Sequence, residues 1–369
     1  MGRKCLLLFF CLQLVCVTGC YDYHDVEDLT LPIVVSYDLP AKPGNQESRK
    51  MVVSAVIINP TAGMAQTRID SMEVQTTADA RNANAHFSPG LLVLGQIQVI
   101  LHGENIARRG LGIDDGLLRV AQIKRTMYMA IVEGRGDELL KTKVSVAPEI
   151  GVYLLDLLNS AQRRTFLPTT TMHDFEVNAT TIGRNPIIPI IKDEGTRIRI
   201  IGTGIFDKKR LIAKVGIRDT RSLVLLRGLK CNGFIPFVIE QDGEKVDEGT
   251  VVVSNTRKVK AGYEDGRVTF RIDISLKGSL LEHSSPELVD ETRLREIQET
   301  VSQTIASDCR RLIQKMQEDI GVDFIDITKY AKAKWGSEIR NQIEGDDFIE
   351  DVRIVVNVKT SIVQLGQTR

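Results

Sequence analysis

The chain has 369 residues, with 48 basic and 48 acidic side chains and a formal net charge of zero. That balance leaves no basic footprint for nucleic acid, and aromatics at 5% are thin for a stacking ligand pocket. The length exceeds one typical domain of roughly 100 to 200 residues, which predicts two or three domains with room for a good core.

The first predicted element is a targeting segment. Arg3 and Lys4 precede a mostly apolar run from Cys5 to Val17, the layout of an export signal. The run falls short of the about 20 apolar residues that a membrane-spanning helix needs. It closes on Val17-Thr18-Gly19-Cys20, the pattern of a bacterial lipoprotein signal. A small residue such as Gly19 lets a peptidase reach the bond before the cysteine, and the Cys20 thiol can take a diacylglycerol through a thioether. Residues 1–19 are therefore expected to be the signal and Cys20 the lipid attachment site. Two acyl chains suffice for durable anchoring where one binds only marginally. An ordinary secretory signal that contains a cysteine is the alternative. Nothing later reads as a second membrane segment, so a tethered protein is expected rather than a spanning one. Of six cysteines, Cys231 and Cys309 then remain as thiols; Cys309 falls on the apolar stripe of a predicted helix, and both are expected to be free and buried.

Tyr21 to Asp28 is acidic and aperiodic, a solvated leash. Leu31 to Leu39 and Met51 to Ile58 are β-rich runs around a loop with Pro40, Pro43, Gly44 and Asn45, a hairpin with a long connection. After Asn59-Pro60-Thr61-Ala62-Gly63 comes an extended piece, Thr67 to Gln75. The texture then changes to a short strand at Leu94 to Leu101, helices at Glu104 to Arg109 and Gly116 to Lys124, and a buried strand at Met127 to Val132. An amphipathic helix follows at Glu149 to Arg163, with Ile150, Leu154, Leu157 and Ala161 on one face. Strands interleaved with helices predict an α/β unit.

Thr196 to Phe206 and Leu211 to Gly216 flank a polar turn, and Leu223 to Leu229 is a further apolar run. Thr250 to Thr256 pairs with Val268 to Leu276, where Val268, Phe270, Ile272, Ile274 and Leu276 alternate with polar residues, one face for the core and one for water. Pro286 opens a predicted helix to about Ile320, with Leu294, Ile297, Val301, Ile305, Cys309, Leu312 and Met316 at helical spacing. A second helix is expected around Trp335 to Ile343, and then a strand with Val352, Ile354, Val356, Val358 and Ile362 inward. The fold class expected is mixed α+β, mainly antiparallel sheets packed by helices, with one long helix on the C-terminal sheet.

Catalytic constellations do not emerge. His24, His86, His102, His173 and His283 are scattered, with no zinc spacing among them. Gly202-Thr203-Gly204 is half a dinucleotide fingerprint, but Asp207 stands where the third glycine belongs and a turn follows in place of a helix. Asp346, Asp347, Glu350 and Asp351 lack the alternating spacing of a calcium loop. Asn178-Ala179-Thr180 matches a glycosylation acceptor by chance. Trp335 reads as packing before interface anchor, and Glu282 as a capping or solvated carboxylate. No catalytic residue, cofactor or metal is expected, and no enzymatic activity.

Short blocks along the whole chain resemble the Ger(x)C lipoproteins, the C subunits of nutrient germinant receptors in endospore-forming bacteria. Cys20-Tyr21-Asp22-Tyr23-His24-Asp25-Val26-Glu27-Asp28-Leu29 is similar to the family's mature start, with Tyr21 in place of its tryptophan and Tyr23-His24 in place of its basic pair. The block from Leu94 to Gly110 resembles its strand, turn and alanine-bearing helix. Ile201-Gly202-Thr203-Gly204-Ile205-Phe206 with Leu211-Ile212 resembles its glycine-centred strand and return, and the tail from the long helix through Trp335 to Gly366 is similar too.

The resemblance implies three α/β domains, the first discontinuous: 20–66 with 163–195, an inserted middle domain at 67–162, and a C-terminal domain at 196–369. It also implies lipid anchoring to the outer face of the spore inner membrane and assembly with an A subunit and a transporter-like B subunit. The alternative from the residues is a solute-binding lipoprotein of an importer, which would share signal, size and α/β content but would need two similar parallel lobes.

Overall fold

The computed structural model describes residues 2, 25–41, 50–59, 66–112, 114–144, 149–284, 289–339, 343 and 348–365. Its architecture is the expected mixed α+β one, built on two sheets packed by helices. The first half of the larger sheet comes from β1 (Leu29–Asp38), β2 (Met51–Asn59), β3 (Gln66–Val74), β4 (Leu91–Leu92) and β5 (Val99–Gly103). The second half comes from β6 (Tyr128–Val132), β7 (Ile187–Asp193), β8 (Ile198–Asp207) and β9 (Arg210–Gly216). Their order is β3-β2-β1-β5-β6-β7-β8-β9, with the short β4 beside β1.

The outer strands of this sheet pair antiparallel, but β1, β5, β6 and β7 are parallel neighbours. Parallel strands are buried on both faces, and β5 is buried throughout. Three short helices lie along this half, α1 (Thr77–Ala85), α2 (Glu104–Arg109) and α3 (Asp114–Leu118). They are followed by α4 (Gly136–Leu139), α5 (Ile150–Arg164) and α6 (Met172–Thr180). One apolar cluster gathers Ile100, Met129, Phe175 and Phe206 on one face, and another gathers Leu101, Val132, Leu154 and Leu158 on the other.

The smaller sheet runs β10 (Asn232–Gln241), β11 (Glu244–Glu264), β12 (Arg267–His283) and β13 (Arg353–Leu365), antiparallel except for the last pair. The alternation of β12 is realised as expected, with Phe270, Ile272, Ile274 and Leu276 almost fully buried. Above this face lie α7 (Ile217–Arg227), α8 (Glu291–Lys315) and α9 (Thr328–Trp335); a short α10 (Phe348–Asp351) leads into β13. Asp290 caps α8 by accepting from the Arg293 amide at 2.7 Å. Ile297, Val301, Ile305, Cys309 and Leu312 form its buried stripe. The expected continuation to Ile320 is a π-helical turn, Met316–Ile320, closed by Gly321 at φ 73°.

Several elements depart from expectation. Leu223 to Leu229 belongs largely to a helix, α7, ended by left-handed Gly228. Leu94 opens a 3-10 turn, and the strand starts only at Val99. The α5 face is completed by Leu158, fully buried, with Leu157 half-buried. Trp335 ends α9 instead of starting a helix, because Gly336 turns the chain at φ 58°. Strand pairing also runs past residue 195, since β8 pairs with β7 and β9 with β8 in the larger sheet.

Candidate interaction surfaces and closed crevices

In open α/β sheets a ligand crevice forms beyond the carboxyl ends of parallel strands where neighbouring connections diverge. Asp38, the last residue of β1, stands at that end of the parallel strands β1, β5 and β6. The Asp38 carboxylate is 1% exposed. It accepts from the Ser36 hydroxyl at 2.8 Å and from the amides of Gly136 at 2.8 Å and Asp137 at 3.0 Å. Burial raises its pKa above the usual carboxylate value, and the Gly136 amide works against that rise. The crevice glycines exist for this carboxylate. A Cβ on Gly103 would lie 2.2 Å from Asp38 Oδ1, and one on Gly136 would lie 2.0 Å from Ser36 Oγ.

A second polar centre joins α7 to α8. Asp308 on α8 is 1% exposed and takes Arg218 Nη2 at 2.8 Å, Arg221 Nη2 at 3.0 Å and Arg311 Nη1 at 3.2 Å. Burial by itself would raise this carboxyl's pKa, but the hydrogen bonds from Arg218 and Arg221 outweigh it and hold the group below its ordinary range. Beside this cluster, at the edge of β10, lies a cavity of about 710 Å³ lined by Phe166, Leu167, Ile217, Phe234 and Pro236, with Arg218 and Arg221 in its wall.

A third centre sits at the far end of α7. Buried Arg227 donates to the Asn185 carbonyl at 3.1 Å and the Phe324 carbonyl at 2.8 Å. Asp323 gathers the amides of Ile325, Ile327 and Thr328 at 2.7 to 3.0 Å. These bonds fasten the segment after α6 to the loop before α9, so the two sheets meet through satisfied polar contacts as well as apolar ones.

Cys20, His24, Asp346 and Asp347 lie outside the described residues. His86 and His173 are exposed, His102 is buried and stacks on Tyr37 at 5.6 Å, and His283 lies 3.9 Å from Asp247. Among the described residues no group of three or more metal-ligating side chains converges. Gly202 and Gly204 sit inside β8, where a Cβ on Gly202 would meet the Val215 carbonyl oxygen at 2.1 Å. Close strand packing accounts for that glycine. Asn178 Nδ2 donates back to the Asp174 carbonyl within α6. Trp335 is half-buried on the core with Lys334 Nζ 4.9 Å from its ring centroid. Glu282 is exposed on β12. Cys231 and Cys309 are free and buried, as expected. No helix among the described residues is long and apolar enough to cross a membrane.

Residues 22–193 match the spore germination protein N-terminal domain, and residues 201–366 match the C-terminal domain described as spore germination B3/GerAC-like. The chain is 24% identical over 368 residues to spore germination protein GerQC of Bacillus cereus, covering 98% of this chain and 99% of that protein. It is 24% identical over 297 residues to spore germination protein A3 of Bacillus subtilis (strain 168), covering 78% and 76%. Spore germination protein B3 of the same organism is 20% identical over 386 residues, covering 99% of this chain and 98% of its own length. In fold, the chain is similar to the crystal structure of the GerBC protein, with a TM-score of 0.56 at 15% identity over 90% of this chain and 99% of that one.

Proposed function

The chain belongs to the GerAC-like family of spore germination proteins, and we propose on that premise that it is the lipid-anchored C subunit of a nutrient germinant receptor. The observation that carries this reading is that both family domains match in order and together span almost the whole chain. Cys20, at the end of the lipobox, is the residue that would hold the anchor. An A subunit and a transporter-like B subunit are the partners proposed, met at the outer face of the spore inner membrane. Tethering confines both sheets to a thin layer beside the membrane, which raises their effective concentration toward membrane partners without a strong soluble interface. The protein would act by contact rather than by catalysis.

The experiment is nutrient-triggered germination, followed as loss of refractility and release of dipicolinic acid, in spores with wild type, a deletion, or Cys20→Ala. Loss of the response on deletion and weakening with Cys20→Ala are expected. Unchanged germination of the deletion strain across a broad nutrient panel, in a background cleared of related receptors, would count against the receptor role. Titration of the purified chain with amino acids and sugars tests the importer reading, for which micromolar binding by this chain alone is required.

A further inference from the structure

The smaller sheet buries one face only. Its inner side chains pack under α7, α8 and α9, while the opposite face looks outward apart from buried Thr269. Register lays the cations of that outer face side by side. Lys260 on β11 stands opposite Arg271 on β12; Lys277 on β12 stands between Ser254 and Ser361; Lys359 on β13 stands opposite Ser275, and Arg353 opposite Thr269. These five cations and Lys258 are all exposed. Fewer acids oppose them. Asp273 stands opposite Lys258 and accepts from Asn357 at 3.0 Å, Glu264 pairs with Arg271 at 2.9 Å, and Asp265 lies 3.9 Å from Arg353.

The other end of the same face is apolar. Phe234 on β10 stands opposite Val252 on β11, and Pro236 and Val238 follow at the next outward positions. Leu281 lies in β12 beside the register shift at Thr250 and Val251. Phe234 is 54% exposed, Val238 44% and Leu281 55%. Glu248 and Glu282 rim this end. From Val252 to Lys260 the outer face of β11 runs about 26 Å, so apolar and cationic halves share one continuous surface.

We propose that this face is a membrane-contacting surface that lies on anionic lipid headgroups, with Phe234 and Leu281 entering the interface and the lysines meeting lipid phosphates. The inference rests on the anchored-subunit reading, since the anchor keeps the face within reach of lipid. Exposed apolar patches of this kind mark protein or membrane contacts, and the excess of cations selects an anionic counterpart. Apart from the cavity at the β10 edge that Phe234 and Pro236 line, the surface is a flat sheet face without a groove for a peptide. A second copy is disfavoured, because two such faces would bring like charges together. The strands' hydrogen bonds are satisfied within the sheet, so it can approach the headgroups without exposing β11 or β12 backbone.

The test uses the chain from Tyr21 onward, without the predicted signal and Cys20, and with a fluorophore on a cysteine introduced at Ser275, in the outer face. A second label at Arg295, on α8 across the sheet, is the reference; the native Cys231 and Cys309 are buried and stay unlabelled. Vesicles are phosphatidylcholine alone or with phosphatidylglycerol. Contact is expected to quench the Ser275 label by lipid-borne quencher in anionic vesicles only, with the Arg295 label unaffected. Combined Lys258→Glu, Lys260→Glu and Lys359→Glu substitutions are expected to lower partition onto anionic vesicles by about a hundredfold, and added salt to lower it in the wild type. An unchanged melting temperature shows that the triple variant still folds.

Equal water exposure of the two labels on every vesicle, or partition indifferent to phosphatidylglycerol and to the triple substitution, overturns the proposal. So does a Ser275 label that is shielded in native spore membranes but not on lipid vesicles, which assigns the face to an acidic protein partner. Failure of the anchor reading is read separately, as the absence of acyl mass on Cys20 in the cell-derived protein.

Discussion

Arg221 on α7 places its Nη2 3.0 Å from Oδ2 of Asp308 on α8, and that carboxylate is 1% exposed. The pair joins the helix that follows the larger sheet to the helix that covers the smaller one. Arg311 extends it by reaching Asp219 at 3.0 Å as well as Asp308.

Removing the carboxylate strands the Arg221 guanidinium, whose side chain is 18% exposed. Asp308→Ala is therefore expected to cost about 2–4 kcal/mol, below the upper end for breaking a fully buried pair because Arg218 and Arg311 are half open to water. Arg218→Ala, at a side chain 64% exposed, should cost less than about 1 kcal/mol. Urea unfolding of the two variants decides; equal losses would mean that burial does not set the strength of this cluster.

The pH dependence of the same group has a definite sign. The folded-state pKa of Asp308 is depressed by its arginines. Its contribution is present above the ordinary carboxylate pKa and is lost as pH falls through the lower folded value. Asp38 has the opposite sign: burial raises its folded pKa, so protonation favours the fold as pH falls from that raised value toward the ordinary one. Relative to wild type, Asp308→Asn should thus lose its stability deficit on acidification, and Asp38→Asn should show a growing deficit over the window above the ordinary carboxylate pKa.

Gly103 and Asp38 are coupled by contact, since a Cβ on the glycine would sit 2.2 Å from Oδ1. Gly103→Ala is expected to destabilise the chain clearly, and less so when Asp38→Ala is present, with a coupling of about 0.5–3 kcal/mol in a double-mutant cycle. Strict additivity would show that the crevice can relax around the methyl group.

Ile305 is fully buried in the stripe of α8. Ile305→Ala should cost about 2–5 kcal/mol by chemical denaturation, from lost transfer energy and a residual cavity. A loss below about 1 kcal/mol would mean that α8 settles onto the sheet and closes the gap.

Burial pushes the thiols of Cys231 and Cys309 up to about 12. Since the thiolate is the reactive form, neither should react with a thiol reagent in the native chain at pH 8, and both should react once it is unfolded in denaturant. Rapid labelling of either one in the native state would show that its segment opens locally.

Much of this protein was legible from the sequence wherever one chain segment carries its own one-sided record. The alternation along β12 and the stripe along α8 appear because each has one face in the core and one in water. Segments buried on both sides keep no such record. Strand β7 carries Pro189 and an unbroken apolar run, and it becomes a strand because β6 and β8 take its two edges. Helices α1 and α6 are short and weakly one-sided. Their signal was the pairs Thr76 with Asp79 and Thr171 with Asp174, each of which forms a capping box.

What the sequence by itself determined is the mixed fold class, the long helix on a sheet, and the absence of any familiar catalytic spacing. Only the tertiary structure decided which distant residues share a site. Asp38 reaches Gly136 across 98 positions and Arg218 reaches Asp308 across 90. The cations of β11, β12 and β13 form one surface only through strand register. Periodicity reports the environment of a segment, whereas these encounters depend on how segments are brought together, and nothing local encodes that.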